Sequence, residues 1–315
     1  MSVPIIRTHG LTRRFGDFIA VNDLSIEVMP GTIFAFLGAN GSGKSTTIRM
    51  LIGLLQPTAG SIEVDGIDVI KRPRKVRDHI GYMGQKVSLY RGLSLRENVE
   101  FYAGLYGLAD AELQRSWGAL RERFSLGEAE HEKTEDLPAG IRQRAGLALS
   151  ILHQPRVVFL DEPTAGVDVH NRGLFWELIQ DEAQAGVTVF VTTHFLEEVD
   201  YCDWVCFIDA GRLIANAEPE ALRQRYSYGY RIAIDVAAEA RAPVSALLAG
   251  AGRRIEVSAD GLELSAPALD PELLALLDRF VEAHPRARVR IEQAQMTDIF
   301  RRVLAESAGA IEVAA

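Results

Sequence analysis

Two cysteines in 315 residues, Cys202 and Cys206, are too few for a disulfide-stapled secreted scaffold. Their C-x-x-x-C spacing offers half a metal or redox site, but neither a second pair nor a histidine cluster accompanies it. Two small buried hydrophobes in a reducing compartment are the expectation. Long apolar runs are also missing. A bilayer crossing takes roughly 18 residues, and the longest candidates, Ala145–Leu152 and Val187–Val191, are short and bounded by charges or turn residues. Met1-Ser2-Val3-Pro4 lacks the basic start and apolar stretch of a secretory leader, so a cytoplasmic location is expected. Positive charge is in deficit: 34 Lys and Arg against 43 Asp and Glu give a net charge of −9. That balance argues against coating nucleic acid and against direct binding to an acidic lipid surface. No solenoid repeat and no low-complexity tract is visible.

Apolar residues make up 48% of the chain, enough for a substantial core in one large or two modest domains. From about Val3 to Arg225, strand-like and helix-like segments alternate. Ile26–Val28, Thr32–Leu37, Ser61–Val64, Val157–Leu160 and Thr188–Thr192 read as strands, with Asp65-Gly66 as a hairpin turn. Leu95, Val99, Tyr102, Ala103 and Tyr106 recur at helical spacing between Leu93 and Leu126, so a helical insertion is expected over about residues 90–150. Alternation of this kind predicts an α/β fold with a mainly parallel sheet.

Composition shifts at Tyr226-Ser227-Tyr228-Gly229-Tyr230, which divides the chain into residues 1–225 and 226–315. In the second part Tyr230–Val236 reads as a strand and Pro243–Ala249 as a short helix. Arg254–Ser258 and Leu262–Ser265 flank Asp260-Gly261 as a hairpin. Asp270–Ala283 is helical, Val289–Ile291 a strand, Met296–Ala305 a last helix, and Ala308–Ala315 a frayed end. The order β-α-β-β-α-β predicts a small α+β ferredoxin-like sandwich. Nothing in it looks catalytic. The basic run Arg72–Arg77 reads as a solvated face.

The informative segment is Gly38-Ala39-Asn40-Gly41-Ser42-Gly43-Lys44-Ser45, a G-x-x-x-x-G-K-S phosphate-binding loop followed by Thr46. An apolar strand precedes it and a helix-like stretch follows, the context this motif requires. Its glycines let successive N–H groups curl around a polyphosphate, and the helix start adds its positive end. Lys44 would reach the outer phosphates and Ser45 would ligate Mg²⁺. Such a loop needs a carboxylate at the end of a neighbouring strand. Val157–Leu160 ends in Asp161, placed to hold Mg²⁺, and Glu162 follows as a general base for an attacking water. By itself an Asp-Glu pair after a strand is a solvated strand end; the loop upstream gives it its meaning. Leu137–Arg144, seventeen residues before Asp161 at its end, reads alone as a turn opening the apolar helix Ala145–Leu152.

Taken in order, these motifs resemble the ATP-binding subunits of ABC transporters over about residues 5–225. Gly38–Ser45 matches Walker A, Gln85 in Gly81–Gln85 the Q-loop, and Leu137–Arg144 falls at the signature. Val157–Glu162 matches Walker B, Pro163–Asp168 the D-loop, and His194 the switch histidine. Phe15 occupies the place of the aromatic residue that stacks on adenine. The resemblance implies a P-loop ATPase using ATP and Mg²⁺. Gln85 would touch the metal and the water and sense a membrane partner. His194 would contact the γ-phosphate and orient Glu162. Asp168 would act across an interface with a second ATP-binding domain, an identical copy or a relative. An integral membrane permease is the other implied partner, which would hold the protein at the inner face of the membrane; nucleic acid is not expected.

Gly81–Val99, Thr193–Glu198 and Met296–Phe300 look like the branch exporting drugs, antibiotics and polysaccharides. The signature departs from the family's L-S-G-G-Q. Pro138 stands for the serine and Ala139 for the first glycine, while Gly140 remains. Proline has neither hydroxyl nor N–H, so at least one bond to ATP, worth roughly 1.5–3 kcal/mol, is lost. A slower or altered ATPase subunit of an exporter is the expectation. A regulatory or non-transport ABC ATPase is the alternative.

Overall fold

The computed structural model describes residues 3–86, 88–226, 229–235, 255–257, 262–266, 269–285, 287–293 and 295–313. The chain divides into two compact units, Met1–Pro219 and Glu220–Ala315.

The first unit is built on a six-stranded sheet. Its spatial order is Arg212–Ala217, Trp204–Asp209, Ile33–Leu37, Thr188–Thr193, Val157–Asp161 and Ile80–Met83. All neighbours run parallel except the hairpin of the first two. Every residue of Ile33–Leu37, Val157–Asp161 and Thr188–Thr193 is buried. Strands covered on both faces read as continuous rather than alternating apolar runs. Phe190 anchors the centre, with ring centroids 5.3 Å from Phe34 and 5.5 Å from Phe36 and Phe159. Truncating such a ring to alanine costs roughly 3–5 kcal/mol.

The expectation of a mainly parallel sheet is incomplete. A second, five-stranded antiparallel sheet is made from Ile6–Phe15, Phe18–Leu24, Glu27–Val28, Ala59–Val64 and Ile67–Asp68. Its first two strands escape a sequence reading. Polar Thr8, Thr12, Arg13 and Arg14 interrupt the alternation, and the pairing of the two strands shifts register between Leu11 and Arg14.

Three helices make the insertion: Leu95–Tyr106, Asp110–Arg123 and Ala139–Ser150. The first starts at a capping box. Ser94 Oγ accepts from Glu97 N at 3.2 Å, and the Glu97 carboxylate takes the Ser94 N–H at 2.7 Å. It stops at Gly107, whose φ of 69° suits glycine. The Trp117 indole and the Arg121 and Arg96 guanidiniums bond the buried Glu130 carboxylate and tie the helices to the loop that follows.

In the second unit a four-stranded antiparallel sheet has the order Ile255–Val257, Leu262–Ala266, Tyr230–Asp235, Arg288–Gln293. Helix Pro271–Ala283 buries Leu273, Leu277 and Phe280 against Ile232, Ile234 and Leu264. The expected helix Pro243–Ala249 and the Asp260-Gly261 turn lie outside the described residues. The last helix is longer than expected, Met296–Val313, so Ala308 to Val313 are helical and not frayed. Alanine has the strongest helix propensity of all residues, and this overrides position near the terminus. Both cysteines are buried and free, and burial pushes both thiols up. No helix among the described residues is long and apolar enough to cross a membrane.

Candidate active site

Parallel pairing brings the key segments to one edge of the sheet. Leu37 pairs with Thr193, Thr192 with Asp161 and Leu160 with Met83. Gly38, His194, Glu162 and Gly84 are thus the next or near-next residues to emerge from strand ends side by side, where an open α/β sheet holds its ligands. The loop strand and the carboxylate strand are not immediate neighbours as expected. Thr188–Thr193 runs between them, and its Thr192 spans the gap.

Gly38–Ser45 closes tightly. Ser42 N bonds Ala39 O at 3.1 Å, and Gly43, at φ 108°, caps helix Lys44–Leu51. A Cβ on Gly43 would lie 2.5 Å from Ala20 O, and one on Gly38 would lie 2.4 Å from Ile208 O. Backbone therefore abuts the loop at both glycines, so they accept no larger residue. Lys44 is buried; its Nζ donates to Gly38 O at 2.8 Å and Ala39 O at 3.1 Å, and lies 3.4 Å from Glu162 Oε1. Ser45 Oγ donates to Asp161 Oδ1 at 3.3 Å. Thr46 is the third residue of the same helix. Asn40 and Gly41 are exposed or open at the loop's tip, with Gly41 at φ 86°.

Glu162 is the meeting point. It is 8% exposed, and its Oε2 accepts from Gln85 Nε2 at 3.1 Å and lies 3.3 Å from His194 Nδ1. Its backbone has a φ of 49°, outside the comfortable range of a non-glycine residue. Glu162 N is held by Thr192 O at 3.0 Å and Thr192 Oγ1 at 3.1 Å. The Thr192 hydroxyl in turn donates to Asp161 Oδ1 at 2.7 Å. Burial and then the Asp161 charge push the nearby Tyr82 phenol up.

Phe15 is 47% exposed, with the Arg13 guanidinium 4.4 Å over one ring face. It pairs with Phe18, two residues before the Ala20 that touches Gly43.

The segment Leu137–Arg144 makes its hydrogen bonds to residues other than those of this cluster. Pro138 precedes helix Ala139–Ser150 in an extended conformation, and its carbonyl accepts from Arg142 N at 3.0 Å. Ala139 opens the helix without a side-chain cap. A Cβ on Gly140 would lie 2.5 Å from Asn171 Oδ1. Asn171 also donates twice to Asp168, from its N–H at 3.1 Å and its amide at 2.7 Å. Those bonds, the side-chain one foremost, hold the Asp168 carboxyl below the usual carboxylate range. Asp168 caps helix Val169–Gln184. Among the described residues, the phosphate loop and this segment share no hydrogen-bond partner.

Sequence reading missed Thr192 and Asn171. Thr192 reads as one more residue of a strand, and nothing in the chain marks Asn171, in the first turn of helix Val169–Gln184, as the contact between two motifs.

A strand, a phosphate loop, a helix and an Asp-Glu pair set on one sheet edge define a P-loop nucleotide-hydrolase domain. Comparison with known proteins refines this. The ABC transporter family profile matches residues 21–165. The Nod factor export ATP-binding protein I of Ralstonia nicotianae is 33% identical over 96% of this chain and 94% of its own. The daunorubicin resistance ATP-binding protein of Streptomyces coeruleorubidus is 35% identical over 86% and 85%. A probable multidrug ABC transporter ATP-binding protein of Escherichia coli is 43% identical over 70% of this chain, which spans only 38% of that relative's length. Among solved structures, an ABC transporter ATP-binding subunit superposes with a TM-score of 0.65 at 27% identity, over 70% of this chain and 93% of its own. The chain belongs to the ATP-binding proteins of ABC transporters.

Proposed function

We propose that this chain is the ATP-hydrolysing subunit of an ABC exporter, working with a separate membrane permease. The observation that carries the reading is the convergence of Lys44, Gln85 and His194 on the one carboxylate of Glu162. The names of its relatives, for multidrug, Nod factor and daunorubicin export, supply the branch.

In this reading Phe15 stacks on the base, and Gly38 to Thr46, with Ala39, Asn40, Gly41, Ser42 and Gly43 between, wrap the phosphates through backbone N–H groups. Lys44 exchanges its loop carbonyls for phosphate oxygens. The hard oxygen donors Ser45 and Asp161, joined by Gln85, suit Mg²⁺. Among the described residues no group of three or more His, Cys, Asp or Glu is arranged to hold a metal by itself, so the ion would share phosphate oxygens. Mg²⁺, when bound, neutralises charge building on the phosphates. Glu162 takes a proton from the attacking water as the water oxygen bonds the γ-phosphorus and the bond to the ADP oxygen breaks. His194 holds Glu162 in line and meets the γ-phosphate.

Pro138, Ala139, Gly140 and Asp168 serve the ATP held by a second ATP-binding domain. That Leu137–Arg144 shares no hydrogen-bond partner with the phosphate loop among the described residues supports that division. Exposed Tyr90, Phe101 and Leu105, 50%, 44% and 67% accessible, give the insertion an apolar surface suited to the permease. Residues 226–315 are read as a ferredoxin-like accessory domain, for which the strand order and antiparallel pairing speak.

The test is ATP turnover in the presence of Mg²⁺ with the permease copurified. Wild-type chain hydrolyses ATP and Glu162→Gln binds but does not. Equal, background-level turnover in both would leave the regulatory alternative.

A further inference from the structure

The His194–Glu162 contact joins two different segments, and their backbones need something to hold them in step. Glu162 opens the turn Glu162–Asp168, closed by Ala165 N on Glu162 O at 3.2 Å and Val167 N on Thr164 O at 3.1 Å. His194 and Phe195 lead into the 3-10 helix Leu196–Tyr201, where Phe195 N bonds Thr193 Oγ1 at 3.0 Å. One buried side-chain bond crosses from the first segment to the second: Thr164 Oγ1 donates to Glu198 Oε1 at 2.5 Å. Both residues are 1% exposed.

A carboxylate this deep needs a countercharge. Arg172, from the helix that Asp168 caps, supplies it with Nε 3.9 Å from Glu198 Oε1. The same guanidinium lies 4.1 Å from the Phe195 ring centroid, and Phe195 packs 4.2 Å from His194. The side-chain contacts of Thr164, Arg172 and Glu198 run to one another and to Phe195, not to Lys44, Ser45 or Asp161.

We propose that Thr164, Glu198 and Arg172 form a buried latch that positions His194 against Glu162, so that hydrolysis depends on it while nucleotide affinity does not. The physical reason lies in the strain at Glu162. A non-glycine residue at φ 49° relaxes unless held from both sides. Thr192 holds it upstream through the backbone N–H. Downstream the turn is pinned through Thr164, and the pin lands on the segment that carries His194. Loss of the hydroxyl frees both segments at once. These are positioning residues, and the inference rests on the ATPase reading above.

Thr164→Val and Thr164→Ser of the full chain separate this from a plain structural role. For valine, kcat of ATP hydrolysis falls about tenfold, as small misplacements of catalytic groups do. KM for ATP stays within about twofold and the melting midpoint within a few degrees. Serine restores kcat. The His194 ring signals in a ¹H–¹³C spectrum shift or broaden in the valine variant and return in the serine one. Unchanged kcat and unchanged His194 signals in Thr164→Val overturn the latch. So does a loss that KM and melting share and serine does not restore. Should the wild type hydrolyse nothing, the ATPase reading fails, and the His194 signals alone decide the latch.

Discussion

The Thr192 hydroxyl sits 2.7 Å from Asp161 Oδ1 and accepts the N–H of Glu162 at 3.1 Å. One threonine thereby sets both acids: it turns Asp161 toward Ser45 and fixes the strained backbone of Glu162. Thr192→Val keeps the shape and removes both bonds. Leaving Asp161 short of a donor and Glu162 N with Thr192 O alone costs roughly 1–3 kcal/mol. Turnover should fall, with a higher Mg²⁺ concentration needed for half-maximal rate. A titration of Mg²⁺ at saturating ATP checks it; an unchanged Mg²⁺ midpoint would separate Thr192 from the metal-side carboxylate.

Pro138→Ser should raise activity. Pro138 is the cap of helix Ala139–Ser150 and makes no side-chain cap bond. Serine there supplies a cap worth about 0.5–2 kcal/mol and, in the proposed two-domain site, a hydroxyl and an N–H toward ATP. Two gains are expected together: a higher melting midpoint without nucleotide and a higher kcat/KM for ATP. A rise in melting alone would confine Pro138 to local helix stability.

Gly140→Ala should disturb a motif it does not belong to. The new Cβ falls 2.5 Å from Asn171 Oδ1, so the amide must swing off Asp168. Losing that side-chain bond costs about 1 kcal/mol, leaves the cap from the Asn171 backbone N–H in place and partly releases the Asp168 carboxylate. The Asp168 pKa, read by NMR, should rise toward its ordinary value. An Asp168 titration identical to wild type would mean that the amide keeps its place.

Acid should loosen the helical insertion through His153. Its ring stacks 3.7 Å from that of Tyr106 on helix Leu95–Tyr106, and its Nε2 lies 3.1 Å from Ile80 O on the sheet. Its Nδ1 is buried and makes no hydrogen bond. Burial pushes the imidazole below its usual 6.5, opposed by the Ile80 bond. A folded-state value below the unfolded one means that the native chain binds fewer protons here. The stabilisation is complete above about pH 6.5 and is lost as pH falls through that window toward the folded value. His153→Phe keeps the stack and removes the titration. Its melting midpoint should decline less than that of the wild type between neutral and mildly acid pH; parallel declines would count against His153.

The phosphate loop, Asp161, Glu162 and the helical insertion were legible because each is local. A glycine spacing, an apolar run ending in acids and a helical period are all written in consecutive residues. Gln85 and His194 carry no local signal and were placed by their order among the other motifs. The antiparallel N-terminal sheet was not legible, since polar residues and register shifts break its alternation between Leu11 and Arg14.

The chain by itself marked Gly38–Ser45 as a phosphate-loop motif between a strand and a helix, because backbone curvature and a helix start need only glycines and short-range order. It also determined that the signature lacks a hydroxyl at Pro138. Tertiary structure alone decided which groups share the Glu162 carboxylate. Gln85, Glu162 and His194 lie on three separate connections, and only parallel pairing of their strands brings those ends together. It alone inserted Thr188–Thr193 between the loop strand and the acid strand, which is why Thr192, unremarkable in sequence, sits between the two halves of the chemistry.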